Sequence, residues 1–451
     1  MKPFYSIAAA YLVFAALGLA VSPARAGSRQ AQNTSPPQQG TAKQRYDEEE
    51  KNLLAAVQSA ESENAKPIDL TKALAKLARF YSSHNRKAEL SAVLDRELAS
   101  ADKSWPPDDH DMLETLRRIA FDYTMCNQRD RAEQISLRVL GVDTKSQGLM
   151  SQAVSSDLLE LGRITMFKTD SPDAENYFMK ALAIDQVRKD DAGASEVMRG
   201  LSTLAKLQKN SEKSDELLER ALQTLKLNPD RNAVYISTIL MDRANSAAGR
   251  RDFSAAIDFI QQSLEIEQRL YGNNNSILIA RLTFLADNYM HRNDLGSAES
   301  SLQRALQIAD SNEKDTQHLS KVSPLMLLAE LYKQEKKYSE SEATIRMAMD
   351  LRTAARGADD PSLARDVVQL AELYVAEARY AEAEVQFRRA ISLAESDQNG
   401  IVNHEMPMYL SEYAEFLKKQ NRNEESEKIL QRVKEIYETR RAAVQNRTPQ
   451  I

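Results

Sequence analysis

Cysteine occurs once in the 451 residues, at Cys126, and tryptophan once, at Trp105. A single thiol cannot close an intramolecular disulfide, and a structural zinc site needs several Cys or His ligands. The five histidines are His84, His110, His291, His318 and His404. No two stand three or four apart, so no helix-borne pair of metal ligands is encoded. Glycine and proline are scarce, at 13 each. All-β sandwiches and barrels need turn formers at short, regular intervals, and this shortage excludes them. No segment reads GxGxxG, GxSxG, or GxxxxGK followed by Ser or Thr, which removes the dinucleotide loop, the nucleophile elbow and the phosphate loop. Positive charge is not in excess: 60 Lys and Arg face 66 Asp and Glu, a formal charge of −6. Bulk attraction to nucleic acid is therefore excluded. What is present is 42% apolar and 28% charged residues. Ala, Leu, Glu, Gln and Arg dominate, the usage of a helical protein.

The N-terminus reads as an address. Lys2 gives a positive start, Ile7 to Val21 is almost unbroken apolar sequence, and Ala24-Arg25-Ala26 offers small residues where a signal peptidase cuts. Residues 1–26 are expected to be a secretory signal cleaved after Ala26, which places the mature chain outside the cytoplasm, secreted or periplasmic. The alternative is an uncleaved membrane anchor, because the run approaches the roughly 17 residues that can span a bilayer. No membrane span is expected in the mature chain. Cleavage removes Lys2 and Arg25 and no acid, taking the formal charge from −6 to −8. Residues 27–45 are rich in Gln, Ser, Pro, Gly and Thr and read as a disordered linker. Residues 46–67 read as an N-terminal capping helix with Leu53, Leu54 and Val57 on one face, and residues 441–451 as a disordered tail.

Between these ends one pattern recurs. Leu370-Ala371-Glu372-Leu373-Tyr374 is followed by Arg379-Tyr380-Ala381-Glu382-Ala383 and then Arg389-Ala390-Ile391. One unit earlier stand Leu328-Ala329-Glu330-Leu331-Tyr332, Lys337-Tyr338-Ser339-Glu340-Ser341 and Met347-Ala348-Met349. The leading small residue recurs at Ala78, Ala120, Gly162, Ala205, Ala244, Ala286, Ala329, Ala371 and Ala414, in steps of 42, 42, 43, 39, 42, 43, 42 and 43. Further small residues follow 12 and 19 positions on in most units, as at Ala256 and Ser263. Small side chains let two antiparallel helices approach closely, and apolar residues at helical spacing fill the rest. The 39-residue step predicts an irregular stack near 205–230, and the first unit departs with Leu90 and Glu97 at the small positions. Asn423 to Ala443 is expected to close the array as a charged helix with Ile429, Leu430, Val433, Ile436 and Tyr437 turned inward.

This pattern resembles the tetratricopeptide repeat family over residues 68–440, about nine repeats. The period resembles the extended repeats of the kinesin-light-chain type, as do the connections Arg356-Gly357-Ala358-Asp359-Asp360-Pro361 and Leu270-Tyr271-Gly272-Asn273. The resemblance implies an all-α, right-handed superhelical solenoid of antiparallel helix pairs with the first helices lining a concave groove. It implies that the residue after each small residue faces that groove: Arg79, Phe121, Arg163, Lys206, Asn245, Asp287, Glu330, Glu372 and Glu415. The early groove would be basic and the late groove acidic. The Asn ladder of the kinesin-light-chain type is not evident, since Phe284, Leu327, Gln369 and Glu412 stand two before the small residues.

Asp108-Asp109-His110-Asp111 is the densest ligand-like cluster, but acids at a helix start serve capping. The recurring tyrosines Tyr289, Tyr332, Tyr338, Tyr374, Tyr380 and Tyr413 read as packing, and Cys126 as a small buried apolar residue. No cofactor and no catalytic activity are expected. The expected function is a non-catalytic scaffold holding a protein or peptide, of basic character in the late half, in the groove. The alternative is a structural or assembly role, with outer faces or end caps used for self-association or for an envelope complex.

Overall fold

A computed structural model describes residues 42–445 apart from 63–64, 85, 169–171, 313–314, 316–317 and 398–400. The expected signal and most of the expected linker lie outside the described residues. Among the described residues the chain forms 19 α-helices and no strand. It divides into two units, Met1–Gly272 and Asn273–Ile451.

The first unit contains α1 (Ala42–Ala60) and five hairpins: α2 (Pro67–Ser83) with α3 (Lys87–Ser104), α4 (His110–Met125) with α5 (Arg129–Gln147), α6 (Gln152–Thr165) with α7 (Pro172–Arg188), α8 (Asp191–Leu207) with α9 (Ser211–Leu225), and α10 (Ala233–Gly249) with α11 (Phe253–Tyr271). The second contains four: α12 (Ile277–His291) with α13 (Leu295–Asp310), α14 (Val322–Gln334) with α15 (Tyr338–Arg356), α16 (Ala364–Ala376) with α17 (Tyr380–Ser396), and α18 (Ile401–Lys419) with α19 (Asn423–Gln445). Helix α1 begins at Ala42, inside the stretch read as linker, and α19 runs to Gln445, inside the stretch read as tail.

The small residues sit where the helices of a hairpin cross. Ala120, Ala244, Ala286, Ala329, Ala371 and Ala414 are at most 1% exposed. At two crossings a hydroxyl joins the helices: Ser341 Oγ donates to the Ala329 carbonyl and Ser426 Oγ to the Ala414 carbonyl, each at 2.8 Å. The first helix then ends in a left-handed residue: Asn127, Arg251, Asn293, Lys336, Ala378 and Asn421 have φ between 60° and 65°. The next amide reaches back to a carbonyl of the last turn, as from Arg379 to Tyr374 at 2.8 Å and from Gln128 to Tyr123 at 2.9 Å. That closure satisfies carbonyls the helix end would leave bare and reverses the chain.

These turns correct the fourth unit. Every left-handed residue just named stands seven after its small residue, and the fourth unit's is Lys209. Its small residue is therefore Ser202, not Ala205. Ser202 Oγ and Ser214 Oγ lie 2.8 Å apart, the usual 12 residues on. The unit itself is in register: the step from Ser202 to Ala244 is 42 residues, and the short step, now 40, moves to the boundary between Gly162 and Ser202. The core crosses it unbroken, with Leu201, Leu217, Leu222 and Leu225 in one cluster with Val154 and Leu240. Nearby, Phe178 is fully buried, and a Cβ on Gly162 or Gly200 would come within 2.5 or 2.6 Å of its ring. Glycine is needed there for closeness.

Successive hairpins are tied by more than packing. Tyr374 donates its hydroxyl to Glu342 on the preceding second helix at 2.9 Å. Arg379, in the turn, reaches the same carboxylate at 2.7 Å, and its guanidinium lies 4.0 Å from the Tyr374 ring centre. Tyr81 and Arg86 close on Glu50 at 2.9 and 2.6 Å in the same way. Tyr332 donates to Glu299 at 3.4 Å. Tyr413 and Arg422 meet on Glu384 at 3.0 and 2.7 Å. Glu50 lies on α1, so that helix docks as the second helix of a preceding hairpin would.

The ends differ from expectation in three side chains. Leu54 of α1 is 45% exposed, and Leu430 and Tyr437 of α19 are 47% and 58% exposed. Val57 and Val433 are buried, while Leu53, Ile429 and Ile436 pack partly against their cores. In the first hairpin, Leu90 and Glu97 are both buried, and Glu97 pairs with Arg118.

Candidate interaction surface

First helices touch in sequence: α6, α8 and α10 in the first unit, and α12, α14, α16 and α18 in the second. Among the described residues no comparable packing joins second helices. The first-helix rows carry most of the residues singled out from the sequence: Arg163, Lys206 and Asn245 in the first unit, and Asp287, Glu330, Glu372 and Glu415 in the second.

In the first unit those residues are only partly free. Arg79 is exposed on α2, and Phe121 on α4 is 37% exposed. Arg163 binds Glu196 at 2.9 Å and approaches Glu160 at 3.8 Å. Arg199, which the repeat arithmetic passed over, binds Asp242 at 2.5 Å and Glu196 at 2.8 Å. Asn245 is half-buried. Lys206 owes its selection to the displaced register. The residue after Ser202 is Thr203, whose Oγ1 donates to the Arg199 carbonyl at 3.1 Å. Burial pushes the Lys206 ammonium below the ordinary lysine range, against the pull of Asp242 and Asp215. The basic half is thus laced with acids.

In the second unit the acids gather around one cation. Lys333 of α14 binds Glu330 on its own helix at 2.6 Å and Glu372 of α16 at 3.3 Å. Glu412 of α18 stands beside them, and its Oε2 is buried without a hydrogen-bond partner. Burial, and then the charge of Glu372, push the Glu412 carboxyl up to about 8 against the attraction of Lys333. Burial also raises Glu330, opposed by Lys333. Burial thus favours the protonated form of Glu412, which works against the negative charge that the acids of this face would otherwise build up. Asp287 lies 3.8 Å from His291, and Glu415 lies 3.5 Å from Lys419.

The sequence placed Glu412 at a ladder position and set it aside because it is not Asn. Position was the right signal and residue type the wrong filter. Gln369, at the same repeat position, is buried and donates Nε2 to the Met326 carbonyl of the neighbouring first helix at 2.7 Å. That position faces the seam between first helices.

The remaining candidates are structural. Asp109 caps α4, accepting from the amides of Asp111 and Met112 at 2.8 and 3.3 Å. Trp105 packs half-buried against the first core. Among the described residues no group of three or more His, Cys, Asp and Glu is placed to hold a metal ion, and no helix is long and apolar enough to cross a membrane.

Residues 235–311 and 322–396 match the family model of the tetratricopeptide repeat. No curated protein matches the chain in sequence. Among solved structures, the apo form of the quorum sensor NprR from B. thuringiensis is similar, with TM-score 0.48 and 13% identity over 78% of this chain and 99% of that one. Yeast Tom70 is similar with TM-score 0.47 and 15% identity, over 83% of this chain and 65% of that one. BtubC from P. vanneervenii has TM-score 0.33 and 14% identity, over 60% of this chain and 92% of that one.

Proposed function

We propose that this chain, a tetratricopeptide repeat protein, is a non-catalytic scaffold that works outside the cytoplasm and holds a basic protein segment along the first-helix face of its second unit. The arrangement of Glu330, Lys333, Glu372 and Glu412 carries the reading. Two carboxylates from successive first helices share Lys333, and Glu412 on the next first helix has a buried oxygen with no hydrogen-bond partner among the described residues. A Lys or Arg side chain arriving there meets Glu372 at the surface and favours ionisation of Glu412. Binding then releases a proton, and affinity rises as pH approaches and passes 8.

The test is calorimetric titration of the full chain with a Lys- and Arg-rich peptide at pH 6 and pH 8.5, in two buffers of different ionisation enthalpy. Glu372→Lys should abolish binding, and Glu412→Gln should remove its pH dependence while the circular dichroism stays unchanged. Equal binding by the folded Glu372→Lys variant would sink the proposal. Export is tested by N-terminal sequencing of the chain recovered outside the cytoplasm; a start at Gly27 supports it, and recovery only with intact membranes favours the anchor.

One observation favours the assembly reading. Leu430 and Tyr437 stand exposed on the terminal helix. A sedimentation shift with concentration that Leu430→Glu and Tyr437→Glu abolish would place association at that end.

A further inference from the structure

A different cluster, in the first unit, holds more buried acid than its cations can neutralise. Helix α4 carries adjacent arginines that reach in opposite directions. Arg118 binds Glu97 of α3, and Asp122 of its own helix at 2.8 Å. Arg117 binds Asp143 of α5, and Asp157 of α6 at 3.3 Å. Glu97 and Asp143 are 0% exposed, Asp157 5% and Asp122 6%. Four buried carboxyl groups therefore rest on two guanidiniums. The other facing groups are Gln147 of α5, which donates to Asp143 at 2.8 Å, Glu114 at the α4 rim, 2.9 Å from Arg117, and Arg79 of α2, whose charge acts on Glu97 and Asp122. Glu114 adds negative charge, and Arg79 offsets one pair from the surface.

The polar accounting shows where the excess sits. Glu97 Oε2 and Asp157 Oδ2 are buried and have no hydrogen-bond partner. Asp157 also lies within hydrogen-bonding reach of Asp143. Two acceptors facing each other around an orphaned oxygen is the arrangement a shared proton resolves. The second unit supplies the contrast. There Asp366, 1% exposed, stands alone with Arg352, which binds both its oxygens at 2.7 and 3.3 Å.

We propose that α4 is a proton-operated joint: each of its two arginines holds a pair of buried carboxyl groups, and a proton retained by each pair fastens the first three hairpins together. A buried carboxylate lacking its own counter-charge is costly, and the group binds a proton instead. In the Asp143–Asp157 pair the protonated member donates to its partner, so that proton belongs to the pair. Burial pushes Asp157 up to about 7, reinforced by Asp143 and opposed by Arg117. Burial raises Glu97 and Asp122 as well, against Arg118. The folded joint thus holds protons that the opened chain gives up above a pH of roughly 4. Its stability is complete at low pH and falls as pH rises through about 7. Mild acid tightens the joint and mild alkali loosens it.

The test is hydrogen exchange of the full chain at pH 5.5 and pH 8, corrected for intrinsic rates. Opening of residues 112–160 should rise about tenfold or more between the two, while α11 of the same unit holds steady. Asp157→Asn, which mimics the protonated form, should remove most of that rise. A flat response in 112–160, or a full response in Asp157→Asn, overturns the proposal. Should that variant fold poorly, infrared spectroscopy of the Glu412→Gln chain, which keeps the joint and lacks the raised carboxyl of the second unit, decides. A buried carboxylic acid band present at pH 6 and lost by pH 9 supports the joint, and its absence at pH 6 refutes it.

Discussion

Replacing Glu342 with Gln tests whether the ties between hairpins stabilise the stack. The carboxylate accepts from Tyr374 at 2.9 Å, from Arg379 at 2.7 Å, and from Arg346 at 2.7 and 3.0 Å. Its side chain is 20% exposed. Burial opposes the charge, but these donors win and lower the carboxyl from 4.5 to about 2. At about 1.4 kcal/mol per unit, the shift corresponds to roughly 3 kcal/mol as an upper bound. Arg379 and Arg346 are 33% and 56% exposed, so solvent weakens the pairing, and about 2 kcal/mol is the working figure. The folded carboxyl is lowered, so this stability is present above the unfolded value near 4.5 and is lost as pH falls through about 2. For a unit of this size about 2 kcal/mol shifts the melting temperature by roughly 4–8 °C. Thermal melts of the parent and Glu342→Gln should differ by that amount at pH 7 and converge toward pH 2. Coincident melts at pH 7 would refute the reasoning, as would a gap that persists at pH 2.

Three further outcomes follow. Gly200→Ala places a methyl 2.6 Å from the Phe178 ring and should cost about 1–3 kcal/mol, read as a lowered urea midpoint and partly restored by adding Phe178→Leu. Ala378→Gly should raise the melting temperature, because an alanine held at φ 60° carries about 1–2 kcal/mol of strain that glycine lacks. Burial, followed by Asp122, pushes the Cys126 thiol up to about 11, so a thiol reagent at pH 8 should label the folded chain far more slowly than the urea-unfolded chain.

The architecture was legible because helix crossings admit few side chains. Small residues at fixed spacing announce a crossing whatever lies between them. The same rule misled at Ala205, since small residues also occur by chance. Only the left-handed turn at Lys209 and the Ser202–Ser214 contact fix the frame. The inter-hairpin ties were half visible. Tyr332 and Tyr374 stood out as repeated aromatics, but packing alone accounts for a ring. The carboxylates that receive their hydroxyls lie 32 or 33 residues upstream, among many other glutamates. The face was legible in position and not in charge. Glu330 and Glu372 were found by register, yet Lys333 between them and the raised carboxyl of Glu412 depend on how three helices meet. Leu430 and Tyr437 were assigned inward by periodicity. Among the described residues no further hairpin packs over the second apolar stripe of α19.

The ties described between hairpins also bear on how such a chain can grow. Each joins a tyrosine, and in three of the four a turn arginine as well, to an acid on the helix that precedes its hairpin, so its two halves straddle the repeat boundary. A duplicated stretch of DNA recreates a complete tie only when its length is a whole number of repeats. Any other length leaves a carboxylate facing the wrong neighbour. Such a bond is indifferent to most surface positions, whereas an insertion or deletion between its two halves would separate the tyrosine from its carboxylate.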